Sequence, residues 1–318
     1  MKEPPLTIVV TGATGHLGRL IIDSLIARGV EPAAIVGTGR SIDRATDLAD
    51  RGVRIVAAAY DDAASLDAAL VGAETLMLVS GSEVGSRVAQ HAAAIEAAQR
   101  AGMRRIVYTS VLDAADSPLV LAPEHAATER LLLDSGLAVT LLRNGWYTEN
   151  YVGAVQQAAQ SGALLTSAGE GLVASASRID YAEAAAAVIT GDGHEGAVYE
   201  LSGDVAWGFD ELAAAASAAT GTTIAVQQVS PEEHLAALTS AGLYAGTAGF
   251  VVARRRHPLR PAGVDHGRPG APHRSADDAA RAGAAGGARG LSIRPALAPR
   301  APVYSSKVLT MACAARCR

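Results

Sequence analysis

The chain predicts an α/β fold, a Rossmann-type doubly wound parallel sheet with a small C-terminal α+β lobe. Three observations carry that expectation. An apolar run over 6–10 breaks into Gly12-Ala13-Thr14-Gly15-His16-Leu17-Gly18 and continues at once with helix periodicity. Strand-length apolar runs then alternate with helix-length amphipathic ones as far as Leu142, the rhythm of a parallel sheet with crossover helices. Finally, Gly29, Gly52, Gly72, Gly102 and Gly136 each follow a helical run, where a helix ends with a residue in the left-handed region.

Taken in order, strands are predicted over 7–11, 34–38, 54–57, 75–80, 105–109 and 138–142, with helices over 17–27, 43–51, 63–70, 87–101 and 124–134. After Leu142 the rhythm changes. A polar-aromatic loop, Asn144 to Asn150, leads into a helix ending near Gln160 and a glycine-rich, hairpin-like stretch over 162–176. A helix (181–189), a strand (197–201), a helix (209–219), a strand (222–226) and a helix (232–241) follow. The expected organisation is an NAD(P)-binding domain over 1–142, a small substrate lobe over 143–249 interleaved with it, and a separate tail over 250–318. The carboxyl ends of the parallel strands should face the lobe, since open α/β sheets bind ligands in the crevice at that edge.

The opening strand–turn–helix is a dinucleotide clamp. Its glycines, at G-x-x-G-x-x-G spacing, let the backbone turn tightly, approach a pyrophosphate and pack the helix on its strand, while the helix N-terminus offers free N–H groups to phosphates. At the end of the second strand no Asp or Glu stands ready for a ribose 2′-hydroxyl; Arg40 stands there instead. A guanidinium at that place pairs with a 2′-phosphate through charge-assisted hydrogen bonds and selects NADPH. Arg44 is a second candidate for the same role, and a solvated surface arginine is the plain alternative.

Composition narrows the class further. No apolar run approaches the roughly 20 residues of a bilayer span, and the N-terminus enters a strand without a signal-peptide pattern; a cytoplasmic protein with no membrane span is expected. Both cysteines, Cys313 and Cys317, lie in the last six residues, which leaves the body without a disulfide, a thiolate nucleophile or a cysteine metal site. The histidines of the body, His16, His91, His125, His194 and His234, show no ligand spacing, so no metal is expected. No G-x-S-x-G elbow is present, and no run of basic and aromatic residues suggests nucleic acid.

The net charge of −5 conceals a division: residues 1–249 hold 14 Lys and Arg against 29 Asp and Glu, and residues 250–318 hold 13 against 3. The tail is built largely of Arg, Pro, Gly and Ala, without apolar periodicity. Those are the residues that GC-rich codons give when read out of frame, so an out-of-frame, disordered segment is expected, with a native basic arm as the alternative. An Ala-rich piece such as 277–285 is expected to be helical at most locally.

Chemistry is harder to place. Short-chain dehydrogenases commonly use Tyr-x-x-x-Lys, where the lysine lowers the tyrosine pKa. The chain has only Lys2 and Lys307, neither four residues after a tyrosine, which excludes that mechanism. Ser110, after the fifth strand, survives from the arrangement. Where the tyrosine would stand, the sequence reads Glu124-His125-Ala126-Ala127-Thr128-Glu129. His125 is thus a candidate acid near neutral pH, or else a surface or capping residue at a helix start.

The runs Ser82-Glu83-Val84-Gly85, Tyr108-Thr109-Ser110, Ser117-Pro118-Leu119, Glu124-His125, Leu142 through Tyr151, Ser175 through Tyr181 and Gly193 through Asp204 resemble the type-two NAD(P)H:quinone oxidoreductases, atypical short-chain dehydrogenase/reductases of the NmrA-like group. The resemblance covers roughly residues 6–248. It implies NADPH-dependent two-electron reduction of a quinone by direct hydride transfer, with proximity supplying most of the rate. The product anion is stabilised enough for solvent or a modest acid to protonate it.

By the same resemblance, Gly12, Ala13, Thr14, Gly15, His16, Leu17, Gly18 and Arg40 hold the phosphates, and Ser82, Glu83 and Val84 line the adenosine–ribose side. Asn144, Gly145, Trp146, Tyr147, Thr148 and Glu149 wrap the nicotinamide end, and Arg178 is a further cofactor-binding candidate. Asn144, Tyr147 and His125 are the implied catalytic candidates, although Trp146 and Tyr147 also suit a core role between lobes. A homodimer is compatible with this family. Its rival from another class is a non-catalytic NADP(H) sensor of the NmrA-like type.

Overall fold

A computed structural model describes residues 7–240 and the pair 273–274. Expectations for the remaining tail, including the local helix over 277–285, lie outside the described residues. Two compact units are distinguished: among described residues the first comprises 7–145, 177–202 and 273–274, the second 146–176 and 203–240.

The first unit is a parallel sheet in the order β8-β6-β5-β4-β1-β2-β3, with His273–Arg274 (β10) as a short eighth strand beside β8. Its strands are β1 (Ile8–Val10), β2 (Ile35–Gly39), β3 (Arg54–Ala57), β4 (Thr75–Leu78), β5 (Arg105–Val111), β6 (Ala138–Asn144) and β8 (Val198–Leu201). Between them run α1 (His16–Ala27), α2 (Thr46–Asp50), α3 (Ala63–Leu70), α4 (Arg87–Arg100), α5 (Ala122–Asp134) and α7 (Arg178–Thr190). The chain builds β1-β2-β3 in one direction, then places β4 on the other side of β1. That reversal is the topological switch point at which such sheets take ligands.

Central strands are buried on both faces, hence their unbroken apolar runs. On one face Val9, Leu76, Leu78, Ile106, Tyr108 and Leu141 pack with Leu66, Leu70, Ile95 and Leu132 from α3, α4 and α5. On α1, Ile21, Ile22 and Leu25 are fully buried, each contributing about 1.5–3 kcal/mol by leaving water, and α1 packs with α7. The five glycine stops predicted after helices all have positive φ, from 66° to 91°.

Several elements differ from expectation. The helix predicted over 43–51 is split into a 3-10 turn (Ile42–Ala45) and α2, because Ala45 leaves helical geometry at φ −126°, ψ 21°. β5 and β6 run two residues further than predicted, to Val111 and Asn144, because the parallel ladder continues through Ser110–Arg143 and Val111–Asn144. No hairpin forms over 162–176.

The second unit explains that last difference. Gly162, at φ 75°, closes α6 (Val152–Ser161), and β7 (Ala163–Thr166) pairs in parallel with β9 (Ala225–Gln228), some sixty residues on. α8 (Phe209–Thr220) and α9 (Pro231–Ser240) complete the unit. Its core gathers Trp146, Tyr151, Leu164, Phe209 and Ile224, with the Tyr151 ring edge-on to Trp207 at 4.9 Å between centroids.

Candidate functional site

The turn after β1 shows why its glycines are needed. Gly12 sits at φ 66°. A Cβ on Gly18 would lie 2.3 Å from the Gly12 carbonyl oxygen and 2.6 Å from its carbon, a clash that the backbone cannot relieve without unseating α1. The Ala13 N–H donates to the Thr38 carbonyl at 2.9 Å, and the Gly15 N–H to the Gly12 carbonyl at 2.8 Å. A Cβ on Gly39 would come within 2.9 Å of Thr14 Oγ1, so β2 also makes room for the turn. Gly15 caps α1 with backbone alone; no acidic side chain occupies the first turn. A helix start with N–H groups unclaimed by carboxylates fits a pyrophosphate. His16 is exposed at this start, and Leu17 and Gly18 are buried, so Leu17 has only its backbone to offer a ligand.

Arg40 follows β2 at the same carboxyl edge and is exposed, with its Nη1 2.7 Å from Glu83 Oε1. Arg44 contributes its carbonyl oxygen to Arg19. The loop after β4 carries Ser82, Glu83 and Val84, and its ends are tied to helices. The Gly81 N–H donates to His91 Nε2 at 3.0 Å, Arg87 Nε donates to the Gly81 carbonyl at 2.8 Å, and the Gly85 N–H donates to Glu124 Oε1 at 2.6 Å. Arg87 and Glu124 form an ion pair. Because His91 Nε2 accepts from a backbone donor, its proton rests on Nδ1, which lies 3.0 Å from Thr128 Oγ1. Burial, with the Arg87 charge, holds the His91 pKa down to about 3.

His125 requires a correction. It is buried, not a surface residue at the helix start, and its Nδ1 shares a 2.8 Å hydrogen bond with the Tyr108 hydroxyl. Burial, helped by the charges of Arg87 and His91, holds its pKa down to about 3. A group neutral throughout the physiological range carries no proton to give as imidazolium.

Ser110 keeps the serine of the dehydrogenase machinery, and Glu129 stands four residues after His125, where its lysine would be. They too are committed elsewhere. Ser110 Oγ donates to Glu129 Oε1 at 2.6 Å; Arg143 grips Glu129 through Nε (2.9 Å) and Nη2 (2.6 Å) and Glu200 through Nη1 (2.8 Å). Strand register sets this up, since Ser110, Arg143 and Glu200 are neighbours across β5, β6 and β8. Burial opposes the Arg143 charge, and the hydrogen bonds to Glu129 and Glu200 outweigh it, raising the pKa above its usual value. Glu200 Oε2 also accepts the Asp113 N–H at 3.0 Å. Asp113 is the one non-glycine residue with positive φ among those described. Sequence reasoning missed Arg143, Glu129 and Glu200 as partners; the available signal was an arginine within β6 and a glutamate within β8.

One residue further along β6, Asn144 is buried between Val111 and Leu201. Its carbonyl accepts from Leu112 N–H, and the Gly145 N–H donates to the Leu201 carbonyl at 2.7 Å. A Cβ on Gly145 would lie 3.0 Å from both that carbonyl and the Tyr181 hydroxyl. Arg178 opens α7 behind a capping box formed by Ser177 and Asp180.

The predicted site residues divide between the units: Gly12–Gly18, Arg40, Ser82–Val84, Asn144, Gly145 and Arg178 belong to the first, Trp146–Glu149 to the second. In the second, Trp146 packs in the core of that unit, edge-on to Tyr151 at 6.4 Å between centroids. Tyr147 is half-buried and bridges Ala176; the Thr148 and Ser175 hydroxyls lie 2.8 Å apart. Glu149 is half-buried in a 3-10 turn.

Among the described residues no group of three or more His, Cys, Asp or Glu is placed to hold a metal, and no helix is long and apolar enough to cross a membrane.

A glycine cradle at a helix start, an arginine at the next strand end and a parallel sheet whose switch point lies between β1 and β4 define an NAD(P)-binding protein of the dehydrogenase/reductase class. Residues 5–246 match the model of the NmrA-like family, and the chain belongs to that family. It is 48% identical over 244 residues to quinone oxidoreductase 2 of Escherichia coli, covering 77% of this chain and 85% of that one. The crystal structure of the E. coli NADPH-dependent quinone oxidoreductase with NADPH superimposes with a TM-score of 0.75 over 78% of this chain and 88% of the other, at 46% identity. The triphenylmethane reductase of Citrobacter sp. with NADP(H) gives the same score and coverage at 37% identity.

Proposed function

We propose that this chain catalyses the NADPH-dependent two-electron reduction of quinones by direct hydride transfer. The observation that carries this reading is the 48% identity to quinone oxidoreductase 2 over 77% of the chain, beside a family match over residues 5–246 that includes the glycine cradle. When bound, NADPH supplies the hydride.

The backbone of Gly12–Gly18 and the first turn of α1 take the pyrophosphate, and Arg40 takes the 2′-phosphate. Ser82 and Val84 line the adenosine ribose. Asn144, fixed in the sheet edge, and Tyr147 remain the catalytic candidates at the nicotinamide end, together with Gly145, Thr148, Glu149 and Arg178. The buried, neutral His125 has no part as an acid. Protonation of the hydroquinone anion falls to solvent, as suits an anion that needs only a weak acid. The reading carries a cytoplasmic protein without a nucleic-acid partner, and a homodimer that sedimentation can check.

Oxidation of NADPH is followed with a panel of quinones, a triphenylmethane dye serving as a comparison substrate. Acceleration by quinones supports the enzyme. If NADPH binds and no acceptor speeds its oxidation, the sensor reading replaces it.

A further inference from the structure

Glu83 is held in place by three independent sets of contacts. The ends of its loop are fixed by His91, Arg87 and Glu124. Its Oε2 accepts from Gln90 Nε2 at 2.7 Å, and its Oε1 reaches Arg40 Nη1 at 2.7 Å. An exposed ion pair of this kind, with the two side chains 71% and 42% exposed, adds little to stability. Its consequence for a ligand is larger. The carboxylate lies against the guanidinium assigned to the 2′-phosphate, and a phosphomonoester brings about −1.5 to −2 charges of the same sign.

We propose that Glu83 is a specificity-determining residue that competes with the cofactor's 2′-phosphate for Arg40. The proposal rests on the NADPH reading of Arg40 and deepens it. In the free protein Glu83 occupies the guanidinium. When NADPH arrives, Arg40 must turn donors from Glu83 to the phosphate while the loop clamp and Gln90 keep the carboxylate close. The residual repulsion lowers NADPH and NADP⁺ affinity without touching NADH, which carries no phosphate there. Glu83 thus favours release of the oxidised cofactor at the cost of tight binding.

Dissociation constants for NADPH, NADP⁺ and NADH are measured by calorimetry on the wild type, Glu83→Gln, Arg40→Ala and the double variant. Glutamine keeps a side-chain oxygen for Gln90, so the loop is retained. Glu83→Gln should bind NADPH and NADP⁺ about two- to fivefold more tightly and leave NADH unchanged. The gain should shrink in high salt and vanish in the Arg40→Ala background. Weaker NADPH binding in Glu83→Gln, an unchanged affinity, or equal shifts for NADPH and NADH would overturn the proposal. Arg40→Ala separates the two ideas: if it weakens NADPH and NADH equally, the phosphate role of Arg40 has failed, whereas a selective loss beside an unresponsive Glu83→Gln sinks only the competition.

Discussion

The two ends of the sheet's carboxyl edge are built on different principles. Beside β1 and β2 the site is backbone: glycine turns, a helix start capped by Gly15 alone, and an Ala13–Thr38 hydrogen bond. Beside β5, β6 and β8 it is buried charge: Ser110, Glu129, Arg143 and Glu200 in one hydrogen-bonded chain. A backbone site tolerates no extra atom and demands particular residue types. A side-chain network demands complementary partners and can be rebuilt from other residues. The serine position near the end of β5 illustrates the point, for it keeps a serine whose hydroxyl is spent on a carboxylate.

The comparison breaks most easily at Gly18. Gly18→Val should abolish measurable NADPH binding and lower stability by about 1–3 kcal/mol through overpacking, because its Cβ would meet the Gly12 carbonyl at 2.3 Å. Calorimetry and urea denaturation read the two effects. Cofactor binding within tenfold of wild type would show that the turn can yield.

At the other end, Arg143→Met leaves Glu129 and Glu200 without their countercharge in a largely buried place. Removing one partner of such a network costs about 3–5 kcal/mol, which a shift of the urea midpoint measures. A loss below about 1 kcal/mol would place the network with ordinary surface pairs.

The buried histidines sharpen the contrast through pH. His91 and His125 are held to about 3, against 6.5 unfolded. The unfolded chain therefore binds protons that the folded one refuses. Their contribution to stability is complete above the unfolded value and is lost progressively as pH falls toward 3, at about 1.4 kcal/mol per pH unit for each histidine. Replacing His125 by Gln should remove one proton's worth of that slope between about pH 6 and pH 4. It should also leave the pH dependence of kcat above about pH 6 without a lost limb; a lost limb would return His125 to the role of acid.

What the sequence made legible follows the same division. The glycine turn after β1 and the helix-ending glycines could be read because each answers a backbone requirement that few residues meet. Non-local pairing could not be read. The stretch after Gly162 looks like a hairpin, yet β7 finds its partner in β9, and nothing local in the sequence encodes that choice. His125 stands where an acid would be useful, and only its burial beside Tyr108 removes it. Arg143 was invisible as a partner because its carboxylates lie 14 and 57 positions away.

The smallest effect is expected at Ser110, and it tests whether position alone confers chemistry. In the dehydrogenases that use Tyr-x-x-x-Lys, the serine after this strand belongs to the reacting machinery. Here the single Ser110 proton goes to Glu129 Oε1 at 2.6 Å, within a site where Arg143 already holds both carboxylate oxygens. With that proton spent, Ser110 has no donor left for a quinone carbonyl. Ser110→Ala should then behave as the loss of one hydrogen bond to a charged group, costing about 1.5–3 kcal/mol of stability. It should change kcat for quinone reduction by less than about tenfold, well under the 10²–10⁴-fold expected of a group that moves or shares a proton in the transition state. Urea denaturation and steady-state kinetics on the same preparation give both numbers. A variant as stable as wild type but a hundredfold slower would mean that the hydroxyl turns to the substrate during turnover, and the two ends of the edge would then be less different than the resting structure makes them.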